Sequence, residues 1–183
     1  MIVSKLGARI IDCDKIQGRV IDPGQPAYFS LVNSLGSDIV DHNKKIDTKK
    51  LKVMRYELPD SSKIINSAIN VPLAKLVARI VWDCFWSGKH TFAVVKYSFL
   101  LESDLLWWMC YPIVHLEVSN EKTWISRIKD KENCTPQVAK QLAEMSKQGD
   151  ILKDWAEIHI DNSDDKKKLS SMFGENFLPY ITV

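Results

Sequence analysis

Glycine is scarce in this chain, with 7 glycines in 183 residues, whereas average usage is roughly 7%. The sequence contains neither GxGxxG nor GxxxxGK[ST], the two standard glycine-rich loops that bind phosphates. Gly88 is the one glycine that precedes a lysine, and Asp83 stands five residues before it. Taken by itself, this shortage argues against a nucleotide-dependent enzyme.

Metal-ligand spacings, net charge and long apolar runs are also lacking. The four cysteines are scattered and no CxxC, HxH or HxxxH spacing occurs, so we predict reduced thiols and no metal ligands. A net charge of +2 gives no strong attraction to nucleic acid or to a membrane. Charges interrupt the apolar runs before the ~20 residues of a transmembrane segment. We predict an intracellular protein, cytoplasmic or associated with mitochondria, without a transmembrane segment or nucleic-acid partner.

Short runs rich in β-branched residues alternate with amphipathic helical patterns along the chain. Strands are predicted at 8–12, 91–95, 113–118 and 157–160. One helix is predicted to end at Asn70 and another to begin at Pro72, because proline suits a first helical turn. Asp47 is predicted to cap a helix over 49–55. The alternation indicates one α/β domain over 1–183, doubly wound, with a parallel sheet.

Polar side chains follow the predicted strands, where ligands bind in sheets of this type. They are Asp12, Asp14, Lys96, Ser119, Asn120, Asp161 and Asn162. The two carboxylates at positions i and i+2 lie on one side of the chain and could accept a hydroxyl proton or hold a metal. The alternative is that both cap the helix that follows.

Two other features have both a structural and a functional interpretation. His115 and His159 lie within predicted strands and are interpreted as structural residues rather than metal ligands. Trp107 and Trp108 are adjacent, so both cannot face inward on one helix. Structural packing is one interpretation, and the alternative is that one of them is exposed as a partner surface or as a site for a stacked purine.

The string IIDCDKIQGRVIDPGQPAY at 10–28 resembles the substrate-side signature of the dephospho-CoA kinases. The family's D-x-D corresponds to Asp12 and Asp14, and its Pro-Gly and Pro-Ala-Tyr motifs follow in register. Weaker similarities to family motifs continue at 36–51, 99–103, 132–145 and 156–163. The amino-acid sequence at 24–28 and 36–39 is similar to that of the kinase half of the animal bifunctional CoA synthase.

This resemblance implies a P-loop-kinase-like parallel sheet with flanking helices, a helical CoA-binding part at 19–90 and a lid at 126–155. Enzymes of this family use ATP with Mg²⁺ to phosphorylate the 3′-hydroxyl of dephospho-CoA, the last step of coenzyme A biosynthesis. The resemblance implies that Asp14 is the general base. It implies substrate contacts from Asp12, Arg19, Pro23, Tyr28 and Glu102, and ATP-side contacts from Arg127 and Lys131.

Several positions depart from the family pattern. The family's P-loop and first strand precede the strand at 8–12, so the resemblance implies that residues 1–183 lack both. Lys96 replaces a usually acidic residue, which changes the charge near a Mg²⁺ site by two units. Val71 replaces a histidine, and Leu142 and Lys131 replace lid arginines, with loss of bidentate phosphate contacts.

Two functional hypotheses therefore stay open. The first is a dephospho-CoA kinase homologue whose activity is impaired in this form. The second is a non-catalytic pseudokinase that binds a CoA-like ligand or serves as an interaction module. An unrelated α/β domain with chance motif matches is the remaining interpretation.

Overall fold

The computed structural model of the protein describes residues 7–147, 152–164 and 166–181. Part of the predicted lid at 126–155 therefore lies outside the described residues. The strands are β1 (Ala8–Asp12), β2 (Phe92–Lys96), β3 (Val114–Glu117) and β4 (Ile158–Asp161). Each strand lies within one residue of its predicted position, because each is a short apolar run ending in polar residues.

The strands pair in parallel, as predicted, with β1 beside β2 and β3 beside β4. In the first pair Asp12 is opposite Lys96, and in the second pair Glu117 is opposite Asp161. Among the described residues these form two separate two-stranded sheets. The described residues contain no further strand that joins them.

The chain divides into two compact units, Met1–Cys110 (unit 1) and Tyr111–Val183 (unit 2). Unit 1 contains β1, β2 and the helices α1 (Cys13–Val20), α2 (Pro26–Leu35), α3 (Thr48–Glu57), α4 (Pro59–Ser87) and α5 (Asp104–Met109). Unit 2 contains β3, β4 and the helices α6 (Glu121–Glu132), α7 (Pro136–Lys147), α8 (Leu152–Trp155) and α9 (Lys166–Ile181).

Helix α4 is continuous, so the prediction of two helices separated at Asn70 and Pro72 is wrong. Pro72 lies inside the helix, where proline costs about 3 kcal/mol because it lacks a backbone N–H and meets the preceding turn. Ile69, Leu73 and Val77 are fully buried on both sides of this proline. Burying such side chains contributes about 1.5–3 kcal/mol each, which offsets the cost of the proline.

The other helices follow local signals in part. Asp47 caps α3, as predicted, because its side chain accepts hydrogen bonds from the N–H groups of Lys49 and Lys50. Helix α1 begins directly after Asp12, where we predicted a polar turn. The predicted helix over 100–109 is divided into a 3₁₀ turn at Leu100–Glu102 and the short helix α5.

Each unit has its own apolar core. In unit 1, α4 packs against α1, α2 and α3 around the buried residues Leu31, Ile39, Ile65, Ile69, Leu73 and Val77. In unit 2, α6 packs against α7 and α9 packs against β4. The buried residues there include Ala139, Ala143, Ile158, Ile160 and Phe177.

Helix α4 also has the length and apolar composition of a membrane-spanning helix, and core helices of soluble proteins meet the same criteria. Its residues Ile65, Ile69, Leu73 and Val77 are at most 1% exposed, and they pack within unit 1. The part of α4 that carries these four residues thus serves as the central helix of the unit 1 core.

Candidate functional site

The carboxyl edge of the β1–β2 pair brings together two carboxylates and one lysine. Asp12 ends β1, Lys96 ends β2 opposite it, and Asp14 lies in the first turn of α1. The Nζ atom of Lys96 is 3.0 Å from Oδ2 of Asp12 and 3.6 Å from Oδ2 of Asp14. The parallel register therefore assembles one compact charged cluster, which we call the Asp12–Asp14–Lys96 cluster.

Ser98 fixes the orientation of Asp14. Its backbone N–H donates to Oδ1 of Asp14 at 3.3 Å, and its hydroxyl donates to Oδ2 at 2.8 Å. Ser98 was not predicted as a site residue. A polar residue two positions after the end of β2 is the signal that could have indicated it.

The ionisation of Asp12 and Lys96 is coupled. Burial acts to raise the pKa of Asp12, but the hydrogen bond and charge of Lys96, with the charge of Lys15, outweigh burial and lower it. Burial acts to lower the pKa of Lys96, but the hydrogen bond and charge of Asp12 and the charge of Asp14 raise it. Both pKa shifts favour the charged forms, the Asp12 carboxylate and the Lys96 ammonium.

Asp12 occupies the N-cap position of α1, but its side chain makes no well-formed capping hydrogen bond. The backbone N–H of Lys15, in the first turn of α1, still contributes to the lowered pKa of Asp12, as a capped N–H would. In the described part of the chain, Oδ1 of Asp12 is buried and has no hydrogen-bond partner. A buried acceptor without a partner costs about 1–3 kcal/mol, which a hydroxyl from a ligand would recover.

Glu102 is held by a second polar cluster in unit 1. Its Oε2 atom accepts a hydrogen bond from Nδ2 of Asn66 at 2.7 Å and from the hydroxyl of Ser62 at 3.2 Å. Nε of Arg55 lies 3.6 Å from the same oxygen, and Nδ2 of Asn70 donates to the backbone carbonyl of Glu102 at 2.6 Å. The Glu102 carboxylate is therefore fixed by three side chains from α3 and α4.

Arg55 is the buried centre of this cluster. Its guanidinium lies 4.1 Å from the centre of the Phe99 ring and donates to Oδ1 of Asn66 and to the Tyr97 hydroxyl at 3.5 Å. Burial raises the pKa of Tyr97, although the charge of Arg55 opposes this shift. Nothing in the sequence of α3 distinguishes Arg55 from its basic neighbours, so this role was not predicted.

The other predicted substrate residues lie at the surface of unit 1. Arg19 is exposed in the last turn of α1, and Pro23 is exposed in the turn before α2. Tyr28 is half-buried on α2, and its ring lies edge to face with that of Phe29, with the two ring centres 5.5 Å apart. Within the described ranges, no hydrogen bond or ion pair joins these three side chains to the Asp12–Asp14–Lys96 cluster. Their predicted role stays a prediction.

The carboxyl edge of the β3–β4 pair is organised differently. Oδ1 of Asp161 accepts hydrogen bonds from the Ser163 hydroxyl at 2.6 Å, the Ser163 N–H at 2.9 Å and the Ser119 N–H at 3.3 Å. These contacts, above all the Ser163 hydroxyl, lower the pKa of Asp161 to about 2. Asn120 caps α6 by accepting from the Thr123 N–H at 3.1 Å.

The predicted ATP-side residues lie on α6. Arg127 donates to the backbone carbonyl of Asn162 and, at 3.5 Å, to that of Asp164. It therefore holds the loop that follows β4. Lys131 is exposed in the last turn of the same helix. The predicted lid at 126–155 contains the later part of α6 and the whole of α7, and these two helices pack against each other.

A family model described as dephospho-CoA kinase matches residues 1–168. The chain belongs to the dephospho-CoA kinase family. A dephospho-CoA kinase of Oryza sativa subsp. japonica is 23% identical over 171 residues, covering 92% of this chain and 72% of the relative. One from Shouchella clausii is 24% identical over 170 residues, covering 90% and 82%.

The fold agrees with this assignment. The dephospho-CoA kinase from Campylobacter jejuni matches with a TM-score of 0.56 at 15% identity, over 98% of this chain and 88% of that one. The predicted resemblance to dephospho-CoA kinases is confirmed. The predicted class, an α/β fold with parallel strands and flanking helices like that of these kinases, is confirmed as well.

Dephospho-CoA kinases are ATP-using enzymes, and the family pattern implies Mg²⁺. The Asp12–Asp14–Lys96 cluster does not fit this ion, because the Lys96 ammonium already lies within 3.0 Å and 3.6 Å of the two carboxylates. A divalent cation beside an ammonium group would be repelled. The described residues contain no group of three or more histidine, cysteine, aspartate or glutamate side chains that could hold a metal.

Proposed function

We propose that the protein binds dephospho-CoA at the carboxyl edge of the β1–β2 pair and transfers the γ-phosphoryl group of ATP to its 3′-hydroxyl. The observation that carries this proposal is the Asp14 carboxylate, fixed by both donors of Ser98 in a chain of this family. An oriented and partly exposed carboxylate at a strand end is suited to act as a general base.

Asp14 would act as the general base in the proposed phosphoryl transfer. The 3′-hydroxyl gives its proton to the carboxylate of Asp14 as the hydroxyl oxygen forms a bond to the γ-phosphorus of ATP. The bond between that phosphorus and the bridging β–γ oxygen breaks, and ADP leaves. Asp14 thus carries the proton away from the reacting oxygen.

Other side chains are proposed to position the substrate. The buried Oδ1 of Asp12, which has no partner among the described residues, is suited to accept a hydrogen bond from a ribose hydroxyl. Glu102 presents a carboxylate already oriented by Asn66 and Ser62. Arg19, Pro23 and Tyr28 would contact the rest of dephospho-CoA, and Arg127 and Lys131 would face ATP.

A second candidate function is binding of a CoA-like ligand without catalysis. The Lys96 ion pair favours this candidate, because a counter-ion 3.6 Å from Asp14 competes with the proton that a general base must accept. Both candidates require dephospho-CoA binding, but only the first requires turnover.

Calorimetric titration with dephospho-CoA, followed by an assay for CoA and ADP, separates the two candidates. Binding with turnover that Asp14→Asn abolishes supports the kinase. Binding without turnover supports the non-catalytic candidate, and absence of binding contradicts both. Asp104→Asn is the matched control, because Asp104 is an exposed carboxylate in the first turn of α5, outside the predicted CoA-binding part, and should have no effect.

Lys96→Asp tests whether the lysine limits catalysis. If the ion pair suppresses Asp14, this substitution increases turnover, whereas Lys15→Asp, at a more exposed lysine 3.9 Å from Asp12, leaves it unchanged. Turnover that falls in Lys96→Asp would instead show that the ammonium takes part in phosphoryl transfer.

A further inference from the structure

The last turns of α4 carry an exposed aromatic cluster, formed by Trp82, Phe85 and Trp86. Their exposed fractions are 62%, 76% and 68%. Positions i, i+3 and i+4 share one helix face, and the rings contact one another. The Trp82 and Trp86 ring centres are 5.7 Å apart, and those of Phe85 and Trp86 are 5.9 Å apart. A contiguous exposed patch of this kind is typical of an interaction surface.

Cations lie along the helix on both sides of the aromatic cluster. Lys75 and Arg79 are exposed on the same face, at positions that precede Trp82 by seven and three residues. Lys89 is exposed just after the helix end at Gly88. Asp83 is the one acidic residue between Lys75 and Lys89. The surface therefore combines large aromatic side chains with a net positive charge.

This combination fits an anionic lipid surface. Indole has an apolar body and a polar N–H, and tryptophan is enriched where a bilayer meets water. Lysine and arginine near that level attract anionic headgroups. The charge of Lys75, Arg79 and Lys89 is therefore complementary to such a surface.

We propose that the aromatic cluster and its flanking cations dock the protein onto an anionic lipid bilayer as a peripheral contact. The indole rings of Trp82 and Trp86 enter the headgroup region, while Lys75, Arg79 and Lys89 face lipid phosphates. The helix does not cross the bilayer, because Leu73 and Val77 are buried in the unit 1 core. This proposal does not depend on the proposed kinase activity.

Co-sedimentation with vesicles tests the proposal. Vesicles of phosphatidylcholine with phosphatidylserine should bind at least about tenfold more protein than vesicles of phosphatidylcholine alone. High salt should remove this difference, because it screens the lysine and arginine charges. Tryptophan emission should shift to shorter wavelength only with the anionic vesicles. Equal binding to both vesicles, or binding to neither, would overturn the proposal.

Variants assign the binding to this surface. The triple variant Trp82→Ser, Phe85→Ser, Trp86→Ser should lower vesicle binding about tenfold or more, and Lys75→Glu with Arg79→Glu should remove the preference for anionic lipid. Trp108→Ser is the matched control, because Trp108 is 85% exposed on α5. Vesicle binding by this variant should equal that of the wild type. Circular dichroism checks that each variant is folded.

A second copy of the chain is the competing occupant. If sedimentation shows a dimer that the triple variant dissociates, and vesicles do not bind, the aromatic cluster is a protein interface and the lipid proposal is wrong. Vesicle binding by the triple variant at the wild-type level would also contradict the proposal.

Discussion

The two parallel strand pairs end in carboxylates that are stabilised in different ways. At the β1–β2 edge, Asp12 and Asp14 face the ammonium of Lys96, a half-exposed side chain. At the β3–β4 edge, Asp161 accepts hydrogen bonds from two backbone N–H groups and from the Ser163 hydroxyl. The first edge therefore depends on a side-chain cation, and the second on donors supplied by its own loops.

This difference separates a candidate reactive site from a structural one. A side-chain ion pair can rearrange when a ligand arrives, and Asp12 keeps a buried oxygen without a partner among the described residues. Asp161 is already committed to the residues that connect β3 to α6 and β4 to α9. The same position in two strand pairs thus provides a candidate reactive site in unit 1 and a structural turn in unit 2.

The largest expected effects are on stability, and they test whether the β1–β2 edge and the β3–β4 edge are each supported by the apolar core of their own unit. Leu73→Ala in unit 1 and Ile160→Ala in unit 2 remove fully buried side chains. Each should lower the free energy of unfolding by about 2–5 kcal/mol, because a cavity remains. Urea unfolding of both variants measures this, with Lys75→Ala on the exposed face of α4 as control at about 0.5 kcal/mol or less.

The form of the unfolding curves then sharpens the comparison. If the units unfold separately, Leu73→Ala shifts one transition and Ile160→Ala shifts the other. A single transition that both variants shift equally would contradict independent support of the two edges.

The pH response of Asp161 should be local to the loops that follow β3 and β4. The pKa of Asp161 is about 2, below the ordinary aspartate pKa of about 3.9. The ionised carboxylate therefore contributes its full stabilisation at pH values above the ordinary pKa. This contribution is lost as pH falls from about 4 toward 2, because protonation weakens the hydrogen bonds that the carboxylate accepts in the folded state. Carboxyl-carbon NMR of the protein should give a titration midpoint near 2.

Ser163→Ala checks the cause of that shift. Loss of the hydroxyl donor at 2.6 Å should raise the midpoint of Asp161 toward the ordinary value, whereas Ser171→Ala on α9, whose hydroxyl binds Glu175, should not. An unchanged midpoint in Ser163→Ala would show that the backbone N–H groups alone hold the carboxylate.

Local features of the sequence predict part of this arrangement. The apolar runs predict the positions of all four strands of the described residues to within one residue, because short β-branched segments bounded by polar residues seldom adopt another structure. The same patterns place Asp12, Asp14 and Lys96 at one edge, because parallel strands end on the same side. Asp47 is predictable as a cap because its contacts lie within three residues along the chain.

Features that depend on distant contacts are not predictable in this way. Helix α4 continues through Pro72 because both sides of the proline are buried against other helices. Arg55 and Glu102 are 47 positions apart, and their pairing depends on the packing of α3 and α4. The cluster around Ser98 likewise joins residues 84 positions apart, so only the register of β1 with β2 brings it together.

Removal of the lysine at the first edge should have a smaller effect on stability. The ion pair of Lys96 with Asp12 is half-exposed, so Lys96→Met should lower the free energy of unfolding by about 0.2–1 kcal/mol. It should also raise the pKa of Asp12, because burial would remain without the main counter-charge. Carboxyl-carbon NMR measures the pKa, and urea unfolding measures the stability.

Lys15→Met provides the control for this prediction. Lys15 is 3.9 Å from Asp12 and its side chain is largely exposed, so its removal should change the pKa of Asp12 less than Lys96→Met does. If the two substitutions have equal effects, the first edge does not depend on a particular cation and the contrast with Asp161 weakens.

The smallest expected effect concerns Cys13, at the junction of β1 and α1. Burial, with a further contribution from the charge of Asp14, raises the pKa of its thiol to about 12, and only the thiolate reacts readily with disulfide reagents. At pH 8, Cys13 should therefore react far more slowly than the half-buried Cys84 and Cys134, as peptide mapping after timed labelling would show. Comparable rates would mean that the junction opens in the native protein, and that Asp12 and Asp14 lack the fixed backbone on which their pairing with Lys96 depends.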